Sequence, residues 1–264
     1  MDRKLSEIKF PLINLWEKRS LIFHFALMNI KIRFKGTYFG ILWAALEPLL
    51  LFTLMYIVFT GIRVSTKEDF AIYLLIGIVL HHSFARGTQG GMMSLRQNLP
   101  ILTSLNIKRE MFPIAATVTA ALLLFVEVGV FFGFMPFVGF SPGITIVFLP
   151  IVLILLIFLI LGVSYLLSII NAYIKDIQPL WGIIVTAVFF VTPIFWYLDE
   201  ASGIILDIHK INPLGQLVEI AHKIVFGELP VMEDWLYVSA MIFGIFFVGY
   251  ALFQKLEKRI LEKM

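Results

Sequence analysis

Apolar residues in this chain come in long runs rather than in the alternating or 3.6-residue patterns of water-soluble elements. A helix needs about 20 mostly apolar residues to cross a bilayer. Six stretches reach that length: Tyr38–Ile62, Phe70 to about Met92, Phe112–Val138, Gly143–Ile170, Gln178–Leu198 and Trp235–Phe253. The second is apolar early and polar late, and the fourth contains Ile144–Leu161, a run without charge. The pattern predicts an all-α membrane protein with six transmembrane helices. It is one domain over 1–264: a cytoplasmic N-terminal segment over 1–37, a six-span region over 38–253, and a cytoplasmic tail over 254–264.

Three regions outside the runs also read as structured. Pro11–Lys35 mixes Leu12, Leu15, Trp16 and Phe23 with basic residues, as suits an N-terminal amphipathic helix lying in the membrane interface. The stretch does not read as a cleavable signal peptide, because Glu17, Lys18 and Arg19 interrupt it. The loop Arg86–Met111 interleaves polar and apolar positions, fitting either a docked helix or a solvated connector. Asp199–Asp234 is too long for a plain turn. Within it Asn212 and Pro213 supply a cap and a first helical position. Leu214, Leu217, Val218, Ala221, Ile224 and Val225 then recur at helical spacing, Gly227 supplies a stop, and Gln216, Glu219, His222 and Lys223 face the other way. With a shorter helix around Ala201–His209, this predicts short outer helices between the fifth and sixth spans, either a gate or a space-filling lid.

Composition narrows the class. Of 264 residues, 60% are hydrophobic and only 15% charged, whereas soluble domains are about 45–50% apolar and about 25% charged. A soluble enzyme is excluded, as is a disordered chain. The absence of cysteine excludes a disulfide framework. A net charge of +3 is too weak to argue for nucleic acid. Placement of charge says more. With the N-terminus inside, only Arg63, Lys67, Lys210 and Lys223 of the 21 Lys and Arg lie outside, which puts both termini in the cytoplasm.

Ionisable residues inside spans are costly and by default functional. They are Glu47 with the helix-bending Pro48, His81 and His82, Arg86, and Glu127. Gly87, Gly90 and Gly91 follow at spacings that let helices approach. Glu47, Glu127 and the His pair fit either a proton relay or interhelical hydrogen bonds. No Walker loop, His-Glu-x-x-His motif or nucleophile elbow is present, so no catalytic, cofactor or metal residue is assigned.

Several segments together resemble the membrane subunits of type-2 ABC exporters that move polysaccharides. These are Asn29–Trp43 followed by Glu47-Pro48; Gly77–Asn98 leading to Leu105–Pro113; Asn171–Ile177 with Thr192–Phe195; and Asn212-Pro213 before the last span. The chain departs from the family at His81-His82, where members commonly carry an aromatic. The resemblance implies a bacterial inner-membrane homodimer with two copies of a separate ATPase subunit, which binds the ATP and Mg. It implies export of a lipid-linked O-antigen. Teichoic acid, capsular polysaccharide, a drug or a lipid are alternative cargoes, and a proton-coupled carrier is the alternative class. It also implies an ATPase-coupling loop through Arg96, Asn98, Asn106, Lys108 and Arg109, and an outer gate helix carrying Asn212, Pro213, Glu219 and His222. Aromatic rings suit weak, repeated contact with a passing glycan. Candidates for the substrate path are Tyr38, Trp43, Phe52, Tyr56 and Phe59 on the first span, and Trp181, Phe189, Phe190, Phe195, Trp196 and Tyr197 on the fifth. Lipid contact, helix packing or an interfacial belt is the competing role for each.

Overall fold

Ten α-helices make up most of the computed structural model, which describes residues 18–61, 69–104 and 107–257. We number them α1 (Arg19–Phe34), α2 (Trp43–Gly61), α3 (Phe70–Gln97), α4 (Leu99–Ser104), α5 (Met111–Phe134), α6 (Leu149–Tyr173), α7 (Ile177–Val191), α8 (Ile204–Ile211), α9 (Pro213–Val225) and α10 (Met232–Leu256). There is no strand among the described residues. Five helical segments are long and apolar enough to cross a membrane: Gly40–Gly61, Phe70–Gln97, Met111–Val138, Ile144–Tyr173 and Met232–Leu256.

The stretch read as a fifth span is helical only over the 15 residues Ile177–Val191. At 1.5 Å per residue this is about 22 Å, against a hydrocarbon core of about 30 Å. Pro193 is the reason: it disfavours helix at the preceding residue, and Thr192 is extended at φ −83°, ψ 137°. Irregular chain then carries Thr192–Tyr197 onward. By contrast α3 runs to Gln97, past the expected end near Met92. Its polar residues bond back to their own helix: Thr88 Oγ1 donates to the Phe84 carbonyl (2.8 Å), Ser94 Oγ to Gly91 (2.7 Å) and Asn98 Nδ2 to Ser94 (2.8 Å). α2 remains helical through Pro48.

α3 is the central helix, buried along most of its length and packed between α5 and α6. α10 backs α6, α1 lies on α5, and α2 and α7 flank the bundle. In lipid, burial of apolar area gives helices little reason to associate, so close packing and polar contacts decide the arrangement. A Cβ at Gly87 would stand 2.7 Å from Ile160 and 3.0 Å from Ala120, and one at Gly91 would overlap the Ser164 side chain. Gly90 meets nothing within 4 Å, so of the three glycines only two serve helix approach. A second crossing joins Gly162 of α6 to Gly249 of α10.

The N-terminal helix is described from Arg19 only. Leu12, Leu15 and Trp16 of the expected interfacial helix lie outside the described residues. Ile22 and Ala26 of α1 are buried, Ile22 packing with Met111 and Ala115 of α5, while Phe25 meets Phe112 at 5.4 Å. Phe23 and Leu27 are exposed. α8 and α9 form where expected. Asn212 Oδ1 accepts from the Leu214 amide (3.1 Å), and Gly227 takes φ +87° as Glu228 N–H closes on the Lys223 carbonyl (2.8 Å). Leu214, Leu217, Val218, Ala221, Ile224 and Val225 are all buried.

Candidate functional site

The ionisable residues of the spans converge. Arg86 Nη1 lies 2.7 Å from Glu127 Oε1, which also accepts from His82 Nδ1 at 2.9 Å. Ser83 Oγ donates to the second Glu127 oxygen. Glu47 Oε2 sits 3.5 Å from both His82 Nε2 and Arg33 Nη2. Four helices, α1, α2, α3 and α5, are thereby joined through one cluster. Glu127 is fully buried and Arg86 nearly so, whereas Glu47 is only half-buried. His82 and Arg86 share a face of α3 because they are four residues apart. His81 is turned about 100° from its neighbour. Its Nε2 donates to the Val185 carbonyl at 3.2 Å, and its ring packs against Phe189. The two histidines therefore do not act together. Only His82 joins the carboxylates.

Beside the cluster, α1, α3 and α5 enclose a cavity of about 750 Å³ whose rim includes Gln178 of α7. Arg33 and Arg86 line it, with Asn29, Gln89, Gly90 and Asn98. Neither Glu47 nor Glu127 does. Sequence reasoning missed this cavity. Its polar residues are scattered over 150 positions, and of the local residues beside Arg86 only Gly90 figures in the sequence reading, as a site of helix approach. Among the described residues no group of His, Asp and Glu is placed to hold a metal ion.

The expected path aromatics form contacts among themselves. Phe59 stacks on Phe195 at 4.8 Å, Phe195 meets Phe189 and Phe190, and Tyr197 lies 4.4 Å from Tyr73. Phe52 stacks on Tyr56, which reaches Phe70. Trp181 Nε1 donates to Thr88 (3.1 Å) and Trp196 Nε1 to the Phe190 carbonyl (3.1 Å). Phe52 and Phe189 are buried, Phe190 is exposed, and Tyr38 is the most exposed of the set. Tyr38 and Trp43 sit apart at the other end of α2, both against Phe39. None of these rings lines the cavity.

The expected coupling loop is ordered by the ends of other helices. Leu102 of α4 enters a small core with Leu95, Phe112, Tyr165 and Phe253. Arg109 donates to the Glu257 carbonyl, and Gln254 Nε2 donates to Glu110 at 2.7 Å, so the loop is fastened to the end of α10. Arg96 is half-buried, Asn98 bonds inside α3, and Lys108 is exposed, 3.6 Å from Glu110. Asn106 lies outside the described residues.

At the other end, Glu219 accepts from His209 Nε2 (2.8 Å) and pairs with Lys223 (3.0 Å), which also donates to Asp234 (2.9 Å). Burial alone would push the Glu219 carboxyl up, but His209 and Lys223 outweigh it and hold it below the usual range. Asn212 Nδ2 donates to Thr192 (3.1 Å), fixing α9 to the chain after α7. His222 is a correction. Rather than facing away with Glu219, it is buried, stacks on Tyr73 at 3.6 Å and donates Nε2–H to the Tyr73 carbonyl at 3.0 Å. Burial lowers its pKa to about 3. Undocked, it would titrate near 6.5, so between about pH 6.5 and 3 only the undocked state takes up the proton and docking weakens as pH falls. By that linkage the loss reaches about 2 kcal/mol at pH 5. Wild-type protein in detergent should lose thermal stability between pH 7.5 and 5. His222→Asn should lose much less over the same interval.

The ABC-2 type transporter family profile matches residues 22–226, from the α1–α5 contact to the end of α9. An O-antigen export system permease protein RfbA of Klebsiella pneumoniae is 24% identical over 237 residues, covering 89% of this chain and 91% of the relative. One from Myxococcus xanthus is 22% identical over 262 residues, covering 95% and 97%. With the helices that carry the polar cluster and the α9 cap inside the matched region, the chain belongs to the ABC-2 type transporter family.

Proposed function

We propose that this chain is the transmembrane permease subunit of an ATP-driven exporter that moves a lipid-linked O-antigen from the cytoplasm across the bacterial inner membrane. The near full-length likeness to two permeases of that name carries the reading. ATP and Mg are bound by a separate subunit, and two copies of each chain assemble. α7 makes the sixth crossing, its helix completed by the irregular chain of Thr192–Tyr197, so that both termini are cytoplasmic. This is supported by the distribution of Lys and Arg. α4 and the residues around Arg109 dock on the ATPase, and α8 and α9 form the outer gate. α2 and α7 keep large exposed apolar side chains, among them Leu54, Ile57, Leu180, Ile183 and Phe190. Their aromatics supply the wall of the glycan path once the second copy is in place.

The test is reconstitution in vesicles with the partner ATPase. Lipid-linked glycan should appear on the far face only with ATP. Transport by this chain alone under a proton gradient would overturn the proposal. Glu47→Gln separates the two mechanisms further. Among the described residues its carboxylate makes only 3.5 Å contacts and is half-buried, so the variant should keep at least about a third of ATP-driven transport, whereas a proton relay would lose it altogether.

A further inference from the structure

The cavity between α1, α3 and α5 holds cations that the polar cluster does not satisfy. Arg86 is buried, and its Nη1 stands in ion-pair contact with Glu127; Nε and Nη2 have no partner of either kind among the described residues, and Nη1 makes no well-aligned hydrogen bond there. Leaving such donors unpaired is costly, and an anion is the partner a guanidinium best accommodates. Arg33 faces the same space. Among the described residues it is held only by Glu47 at 3.5 Å and by the Phe34 ring at 5.9 Å, contacts loose enough to let it turn. Neither Glu47 nor Glu127 lines the cavity, and the described lining contains no Asp or Glu. Gln89 also lines it and makes no hydrogen bond among the described residues, whereas the amides of Asn29, Asn98 and Gln178 each already donate once, to Thr119, Ser94 and Asn171, and keep one further N–H.

Depth in the membrane identifies the kind of anion. Arg86 lies sixteen residues after Phe70, about 24 Å along α3. That is close to the far edge of a hydrocarbon core about 30 Å thick. With the termini cytoplasmic, as proposed above, the cavity opens at the level of the inner headgroups, beside α1.

We infer that this cavity binds the phosphate group of a lipid headgroup, with Arg33 and Arg86 as its cationic pair. The phosphate takes the free Arg86 donors and draws Arg33 away from Glu47, while the side chains of Gln89 and Asn29 close the remaining oxygens. Two lipids present this chemistry in the inner leaflet: bulk anionic phospholipid, and the phosphate linker of a lipid-linked cargo. The second rests on the export reading.

Native mass spectrometry of the purified chain in detergent decides the matter, with phosphatidylglycerol, a long-chain polyprenyl phosphate and uncharged diacylglycerol as probes. Both lipid phosphates should bind at least about tenfold more tightly than diacylglycerol, as one charge-assisted hydrogen bond would give. Arg33→Gln should weaken them by a similar factor. Gln89→Glu, an exposed position whose change leaves the packing intact, should do so through charge alone. Preference for polyprenyl phosphate makes the cargo linker the occupant, and equal binding makes it bulk lipid. Equal affinity for diacylglycerol, or unchanged binding in both variants, overturns the site. Because no transport is measured, export that persists without phosphate binding would remove this inference alone. Phosphate binding without ATP-driven export would remove only the export reading.

Discussion

Replacing Glu127 by Ala should destabilise the protein more than any other single change in the membrane region. The carboxylate is fully buried and answers Arg86 at 2.7 Å, His82 at 2.9 Å and Ser83. Removing it strands a guanidinium whose Nε and Nη2 already lack a partner and whose Nη1 has only its 2.7 Å ion-pair contact with Glu127 among the described residues. Breaking one partner out of a buried ion pair costs about 3–5 kcal/mol, because the remaining charge keeps its desolvation penalty. Arg86→Met alone is milder, since Glu127 keeps its hydrogen bonds from His82 and Ser83. Arg86→Met with Glu127→Leu should recover most of the loss, as apolar side chains of similar volume replace the pair. Thermal unfolding of the three variants in detergent gives the ordering. A Glu127→Ala protein as stable as wild type, or a double variant worse than the Ala, would show that the cluster does not hold α3 to α5. Glu47 and Arg33 belong to the same cluster, but their loose 3.5 Å contact and partly solvated side chains make their removal a small effect on stability.

Much of this cluster was legible in the sequence as a set of costly residues, but not as a geometry. Runs of about 20 apolar residues specify helices regardless of neighbours, so the spanning segments emerge within a few residues of their observed ends. The exceptions have local causes. Pro193 cuts α7 short, and the self-bonded hydroxyls of Thr88 and Ser94 let α3 continue through polar sequence. The short helix α9 was readable because Asn212, Pro213 and Gly227 are terminal signals in their own right. His222 was misplaced because a polar residue on an amphipathic helix is assigned outward by pattern. Here a backbone carbonyl and a Tyr ring on another helix satisfy it instead. The partition of His81 from His82 is a matter of helical geometry that taking the two as a pair overlooked, and it needed no structure. The partner of each did, because contacts such as Asn29 with Thr119 or Asn171 with Met92 join positions 79–90 residues apart and leave no periodic trace. The cavity is hidden for the same reason.

Gly249→Val is the second large expected effect, and it reaches the functional end of the molecule. A Cβ at Gly249 would run into the Gly162 carbonyl oxygen, and one at Gly162 would stand 2.7 Å from the Phe246 Cα. Both obstacles are backbone, so no side-chain rotation relieves them and α10 must move off α6. Overpacking of this kind costs about 1–3 kcal/mol. Gly244, also on α10, meets nothing within 4 Å, so Gly244→Ala should leave stability unchanged. Displacement of α10 matters beyond stability because its last turn holds the loop before α5. Gln254 bonds Glu110, the Glu257 carbonyl accepts from Arg109, and Phe253 packs with Leu102 of α4. A shifted α10 releases the segment proposed to receive the ATPase. In vesicles containing both subunits, Gly249→Val should therefore cut ATP-driven transport by more than about tenfold while ATP hydrolysis continues, whereas Gly244→Ala should transport normally. Equal transport by the two glycine variants would mean that the α6–α10 crossing does not position the coupling loop.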